Sequence, residues 1–94
     1  IRAAFGPAAD SILVSSTKAM HGHGLGAAGS LELIATIGAI CSGIVPPTIN
    51  FTEADPECDL DYVPNIARER PISAAISNSF AFGGLNAVLA VKAI

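Results

Sequence analysis

The sequence predicts an α/β fold, and three observations predict it. Ile12-Leu13-Val14 are three apolar residues in a row, the pattern of a strand buried on both faces. The stretch from His23 or Gly24 to Ser42 has the length of a core helix. In it Leu25, Ala28, Leu31, Ile34, Ile37 and Ile40 follow a helical stripe. Two more runs, 72–79 and 87–94, read as strands on either side of a glycine-containing turn at 80–86.

Each element has a local reason. Ile1 to Pro7 reads as the last turns of a helix, with Gly6 as C-cap and Pro7 as the stop beyond it. No start precedes those turns, so the chain, 1–94, reads as the C-terminal piece of a longer protein. A loop with Asp10 leads into the first strand, and Ser16-Thr17-Lys18 lies at its end and in the following turn. Leu33 and Cys41 fill the other faces of the long helix. A helix apolar nearly all round is expected to be buried on all sides. Its small residues, such as Gly26, Ala28, Gly29 and Gly38, allow tight packing between layers, and Gly43 is the expected C-cap. Pro46-Pro47 makes the segment from Ile44 to Asn50 extended. Glu53, Asp55, Glu57, Asp59 and Asp61 form an acidic loop, read as solvated surface. Leu60 to Pro64 is then extended or turned, and Asn65 to Arg70 is polar surface.

Composition narrows the function classes. With 94 residues, 51% hydrophobic and 14% charged, the chain is too apolar for a small free-standing domain. It is expected to pack against further protein or to meet a membrane. The net charge of −3 and five scattered basic residues provide no stripe for nucleic acid. Gly24 to Val45 is long enough to span a bilayer, but Glu32 would then lie in hydrocarbon and strands follow that a bilayer could not satisfy. A buried core helix, with no membrane span, is the preferred reading. Cys41 and Cys58 have no metal-ligand spacing and no disulfide logic, which suits a reducing, cytoplasmic compartment. Cys41 is expected to be buried and inert. Carboxylates around Cys58 disfavour its thiolate.

The chemistry concentrates in Met20-His21-Gly22-His23-Gly24-Leu25-Gly26-Ala27-Ala28-Gly29. His23 stands where the long helix is expected to begin. There, free N–H groups and the positive end of the dipole disfavour an imidazolium and leave a neutral ring that can donate to a carbonyl or a developing oxyanion. Glu32 is the lone carboxylate of that helix and needs a partner; Lys18 is the nearest basic residue in sequence. Gly24-x-Gly26-x-x-Gly29 also matches the dinucleotide fingerprint. However, several residues separate the strand from the glycines, and Pro46-Pro47 spoils the second strand. Phe80 and Phe82, on a glycine turn, are either a core plug or a mobile gate.

Four motifs in register carry a resemblance. They are Ser16-Thr17-Lys18, Gly22-His23-x-Leu25-Gly26-Ala27-Ala28-Gly29-x-x-Glu32, Pro46-Pro47-Thr48-Ile49-Asn50 and Asn78-Ser79-Phe80-x-Phe82-Gly83-Gly84-x-Asn86. Together they closely resemble the C-terminal part of the elongating, decarboxylating β-ketoacyl-[acyl-carrier-protein] synthases. A thiolase is disfavoured, because 78–86 lacks a thiolase-like acid cysteine.

The resemblance implies a thiolase-like α/β fold layered α-β-α-β-α, usually in a homodimer, with no cofactor. It implies decarboxylative condensation of an acyl thioester with malonyl-carrier protein in fatty acid biosynthesis, the partners being acyl carrier protein thioesters. His23 matches the second histidine of the family's Cys-His-His set, Lys18 its active-site lysine and Glu32 the acidic partner of that lysine. Phe82 matches the gating phenylalanine, whose N–H also serves the oxyanion hole; Phe80, Gly83 and Gly84 belong to the same gate. In several relatives the positions of Glu32, Ser77 and Asn78 surround a structural cation, a site the resemblance leaves open here. Ala81 and Leu85 depart from the usual Gly and Thr, which bears on gating and substrate range. The nucleophilic cysteine and the first histidine belong to the missing N-terminal part, so this piece alone is expected to be inactive. Other readings are a non-catalytic partner of the chain-length-factor kind and a polyketide or nodulation-type ketosynthase.

Overall fold

A computed structural model describes residues 1–94. Its centre is the helix α3 (Ala28–Ser42) packed on β3 (Ala74–Ala81), which pairs antiparallel with β4 (Leu85–Lys92). Successive side chains of a strand alternate faces. Ala75, Ser77 and Ser79 turn toward the helix: Ser77 is buried, and a Cβ on Gly29 of α3 would lie 3.6 Å from the Ser79 hydroxyl. Small residues on both surfaces therefore let helix and strand approach closely. The opposite face of the hairpin carries Ile76, Val88 and Phe80, and all three are exposed.

The turn is tighter than the sequence suggests. Both strands run further toward it, with Phe80 opposite Asn86 and Ala81 opposite Leu85. Only Phe82-Gly83-Gly84 remains as loop, and both glycines adopt left-handed φ, +83° and +80°. Two such residues allow a three-residue reversal that a side chain would strain.

The N-terminal half departs more from expectation. Gly6 (φ 54°) caps α1 (Arg2–Phe5) as predicted. Pro7 does not stop the winding, because it enters the first turn of a 3-10 segment, Gly6–Ser11, where its missing N–H costs nothing. Residues 12–14 form no full strand. Leu13 makes one parallel bridge to Asp61 and the run is only half-buried, since no further strand of this chain lies beside it. α2 (Lys18–His21) follows. The long helix does not start at 23 or 24. Leu25 has φ +48°, which interrupts α-helical winding, and a 3-10 turn, Leu25–Ala27, precedes α3. Gly43 is the predicted C-cap, with φ 67° and ψ 25°. β1 (Ile44–Val45) pairs antiparallel with β2 (Arg68–Glu69), a strand hidden in a stretch that reads as polar surface.

The acidic loop is not merely solvated. Asp59 pairs with Arg2, and Asp61 pairs with Arg68. Asp61 ties three segments together: its carbonyl accepts from Val14 N–H (2.8 Å), its carboxylate from Val63 N–H (3.0 Å) and from the Arg68 guanidinium. Val63 is fully buried despite φ +48°, an uncommon conformation for a β-branched residue. The Arg68 guanidinium, foremost, holds the Asp61 carboxyl below its ordinary value of 3.8, against its partial desolvation. A depressed folded value stabilises the fold above the unfolded value, and that contribution is lost as pH falls through the folded one. Asp61→Asn is therefore expected to lower Tm modestly at pH 7, and the difference from wild type should disappear on acidification through the folded value. A constant difference at all pH values would contradict this.

Exposure is general. The radius of gyration is 13.3 Å, near the roughly 12.4 Å of a compact chain of this length. Yet only 5 of 94 residues are buried. The accessible surface is 6687 Å², against about 5,000 Å² for a folded monomer of this mass. That excess is about twice the roughly 800 Å² that one partner contributes to a standard protein–protein interface. It lies on apolar groups: Leu31, Ile34 and Ile37 along α3, and the open hairpin face. Hence α3 is covered on one side instead of all round, and Cys41, expected buried, is exposed. Leu25–Ser42 is long and apolar enough by itself to cross a membrane. Its packing on β3 and the pairing of its Glu32 with Lys18 make it a helix of a layered fold.

Candidate active site

The segment from Val14 to Gly29 carries the candidate site. Three bonds anchor its approach. Val14 N–H donates to Asp61 O, the Ser15 hydroxyl to Pro46 O at 2.6 Å, and Ser16 N–H to the Thr48 hydroxyl at 3.1 Å. The Pro46-Pro47-Thr48 motif thus supplies the rail on which the Ser16-Thr17-Lys18 motif rests.

From α2, the Lys18 ammonium donates to the Glu32 carboxylate on α3 and forms an ion pair with it. The carboxylate of the long helix therefore has a direct cationic partner. The Glu32 side chain is 16% exposed and that of Lys18 36%, so the charge pair sits at the boundary of the packed layer.

His23 is placed differently from expectation. It is exposed and lies five residues before α3, so the macrodipole of that helix is not what acts on it. The Leu25 N–H, the first of the 3-10 turn, donates to His23 Nδ1 at 3.0 Å. An accepting Nδ1 puts the ring proton on Nε2. The donor face is then the outer edge of the ring. Leu25 holds φ +48° while making this bond and is 80% exposed, a strained residue at the site itself. Exposure of His23 is the general condition of this chain, as above, and does not distinguish it from its neighbours.

His21 differs. Its Nδ1 donates to Gly22 O at 2.8 Å, and its Nε2 meets the Thr17 hydroxyl at 2.8 Å. Both ring nitrogens are engaged within its own turn, so His23, with a free Nε2, is the histidine available to a substrate. Gly22 between them has φ +82° and ψ 173°, a conformation accessible to glycine and costly for other residues. A Cβ on Gly24 would come within 2.8 Å of the Leu31 side chain.

Phe82 stands at the hairpin tip, fully exposed, and Phe80 is in β3, 74% exposed on the open face. Neither plugs a core of this chain. Gly83 and Gly84 shape the tip. Ala81 and Leu85, the two departures, form the last strand pair beneath it. Ser77 and Asn78 are neighbours in an extended strand, so their side chains take opposite faces, Ser77 toward α3. Only one of the two side chains can join Glu32 around a cation; the rest of such a ring would need backbone carbonyls. No group of three or more His, Cys, Asp or Glu side chains comes together as a metal site. Sequence reasoning placed Thr48 in a motif without foreseeing its contact to Ser16, and missed the Leu25 amide altogether. A hydroxyl in an extended segment and a backbone N–H leave no sequence signal of their own.

α3 packs on the β3–β4 hairpin and is joined to α2 by the Lys18–Glu32 pair, an α/β arrangement that it shares with solved ketosynthases of the thiolase-like class. Comparison with known proteins agrees. The family model described as the β-ketoacyl synthase C-terminal domain matches residues 1–52, and the chain belongs to that family. It is 55% identical over 94 residues to nodulation protein E of Rhizobium sp. (strain N33), covering all of this chain and 23% of that protein. It is 54% identical over 92 residues to 3-oxoacyl-[acyl-carrier-protein] synthase 2 of Synechocystis sp., covering 98% of this chain and 22% of that protein. Among solved structures, a type II polyketide acyl-carrier protein in complex with its ketosynthase, bound to the hexaketide, superposes with a TM-score of 0.95 at 39% identity. That match covers 99% of this chain and 23% of the other. The chain thus spans about a quarter of the length of these relatives.

Proposed function

We propose that this chain is the C-terminal part of a 3-oxoacyl-[acyl-carrier-protein] synthase, an acyltransferase of fatty acid biosynthesis. The observation that carries the reading is His23, with Nδ1 occupied by the Leu25 amide and Nε2–H left free. In the proposed reaction an acyl chain resides on a cysteine outside these 94 residues, since neither Cys41 nor Cys58 has the sequence context of the family's nucleophile. Loss of carbon dioxide from malonyl-carrier protein leaves its electron pair as a thioester enolate. That enolate attacks the acyl carbonyl, and the cysteine thiolate departs. The enolate oxygen is where a preorganised N–H is worth most, and His23 Nε2–H is the donor. Lys18 and Glu32 set the local charge and orient the loop. Phe82 gates the acyl cysteine, its N–H joining the oxyanion hole. Gly83 and Gly84 let it move, and Phe80 anchors the tip on β3. A structural cation near Glu32, Ser77 and Asn78 belongs to the same reading.

The uncovered apolar surface supports the division of the fold. The open hairpin face and the outer stripe of α3 are what an interior helix and sheet present when the rest of their layers is not included. The partners follow: acyl and malonyl carrier proteins, and a second copy in a soluble, cytoplasmic homodimer. A nodulation-type ketosynthase is the second reading, favoured by identities of 52–55% over the whole chain to four nodulation E proteins. The test is condensation by the complete protein, read as carbon dioxide release from malonyl-carrier protein together with a 3-oxoacyl product. The 94-residue chain alone is expected to release none. A complete protein that assembles with a ketosynthase but does not condense would be a chain-length-factor-like partner instead.

A further inference from the structure

Two neighbouring histidines in this loop are held in opposite ways. A backbone carbonyl can only accept, so the 2.8 Å contact to Gly22 O makes His21 Nδ1 the donor. In the neutral ring Nε2 is then the acceptor, and the Thr17 hydroxyl donates to it at 2.8 Å. Thr17 is the N-cap of α2, yet its hydroxyl makes no cap bond to the helix, and Gly22 is the C-cap. The His21 ring therefore spans α2 from its first flank to its last. Gly22 N–H also donates to Lys18 O at 2.7 Å. Both peptide groups flanking the Gly22 Cα are thus tied down, one by the helix and one by the imidazole. The second of these peptides is the one that carries His23.

Glycine at φ +82° has the widest backbone freedom of any residue, so an untied carbonyl here would leave the His23 ring free to swing. His23 keeps its bond from the Leu25 amide only if its Cα stays in place. We infer that His21 is a positioning residue: by bridging the Thr17 hydroxyl and the Gly22 carbonyl it fixes the peptide that presents His23 with its proton on Nε2. This inference rests on the proposed role of His23, and the experiment separates the two.

The test uses the complete protein with His21→Ala, His21→Asn, Thr17→Val and His23→Ala. Asparagine carries a side-chain N–H near the place of Nδ1–H and should keep the bond to Gly22 O, though not the one to Thr17. His21→Ala is expected to lower kcat for malonyl decarboxylation about tenfold with KM changed less than about twofold, a loss of orientation and not of binding. His21→Asn should recover most of that loss, and Thr17→Val should fall between. Long-range proton–nitrogen NMR is expected to show opposite tautomers in the wild type, Nδ1–H on His21 and Nε2–H on His23. In His21→Ala the His23 pattern should move toward a tautomer mixture. Unchanged kcat and an unchanged His23 pattern in His21→Ala would overturn the inference. So would equal losses in the alanine and asparagine variants. If His23→Ala keeps its activity, the catalytic reading fails, and the NMR tautomers alone then decide whether His21 holds His23.

Discussion

His23→Ala in the complete protein is expected to reduce malonyl-carrier protein decarboxylation by roughly 10²–10³-fold, the usual cost of deleting one oxyanion donor. The ring meets the Leu25 amide through Nδ1, which leaves Nε2–H without a hydrogen bond to this chain. A donor aimed at the enolate oxygen is worth most where negative charge develops, so its contribution is concentrated in the transition state. KM should accordingly change far less than kcat. His23→Gln, whose amide nitrogen lies near the place of Nε2, is expected to retain part of the rate. Rates for His23→Ala within threefold of wild type would remove the residue from the mechanism.

The second large effect concerns Lys18 and Glu32. Their ion pair joins α2 to α3 and is partly shielded, with Glu32 the less exposed partner. Lys18→Met leaves a half-buried carboxylate without its cation. The expected loss is about 1–2 kcal/mol of stability, reduced from the buried-pair range by the exposure of Lys18. Glu32→Gln should cost less, because the ammonium can turn to solvent. Turnover should fall at least about tenfold in each, since the loop carrying His23 begins at the same helix. A double-mutant cycle on both Tm and kcat should show strong coupling, the double variant being little worse than Lys18→Met. Strict additivity would mean that the pair does not act as a unit.

What was legible in the sequence follows from how local each signal is. The caps Gly6 and Gly43 and the glycine turn at 83–84 were readable because left-handed φ is a property of single residues. The hairpin was readable from two β-rich runs, although its register needed the tight three-residue loop. The partner of Glu32 was foreseeable because a carboxylate in an apolar helix demands a cation. The strand β2 was not readable: Arg68–Glu69 has no β signature and pairs only because the extended Ile44–Val45 lies beside it. The helix start was misplaced because Leu25, an ordinary helix former, is held at φ +48°. The roles of Asp59 and Asp61 were hidden because their partners, Arg2 and Arg68, come close only after folding.

By itself the sequence determined the α/β class, the glycine caps, the terminal hairpin and the family motifs. Tertiary structure decided how the two histidines of the loop are held. The Leu25 amide, not the dipole of the long helix, sets the His23 tautomer, and the ring nitrogens of His21 are both spent on Thr17 and Gly22. The physical reason is the range of each interaction. Propensity and hydrophobic pattern act within a few residues and are written in order along the chain. A hydrogen bond, by contrast, is decided by tenths of an ångström and by a backbone angle such as that of Leu25, which is set by the folded loop.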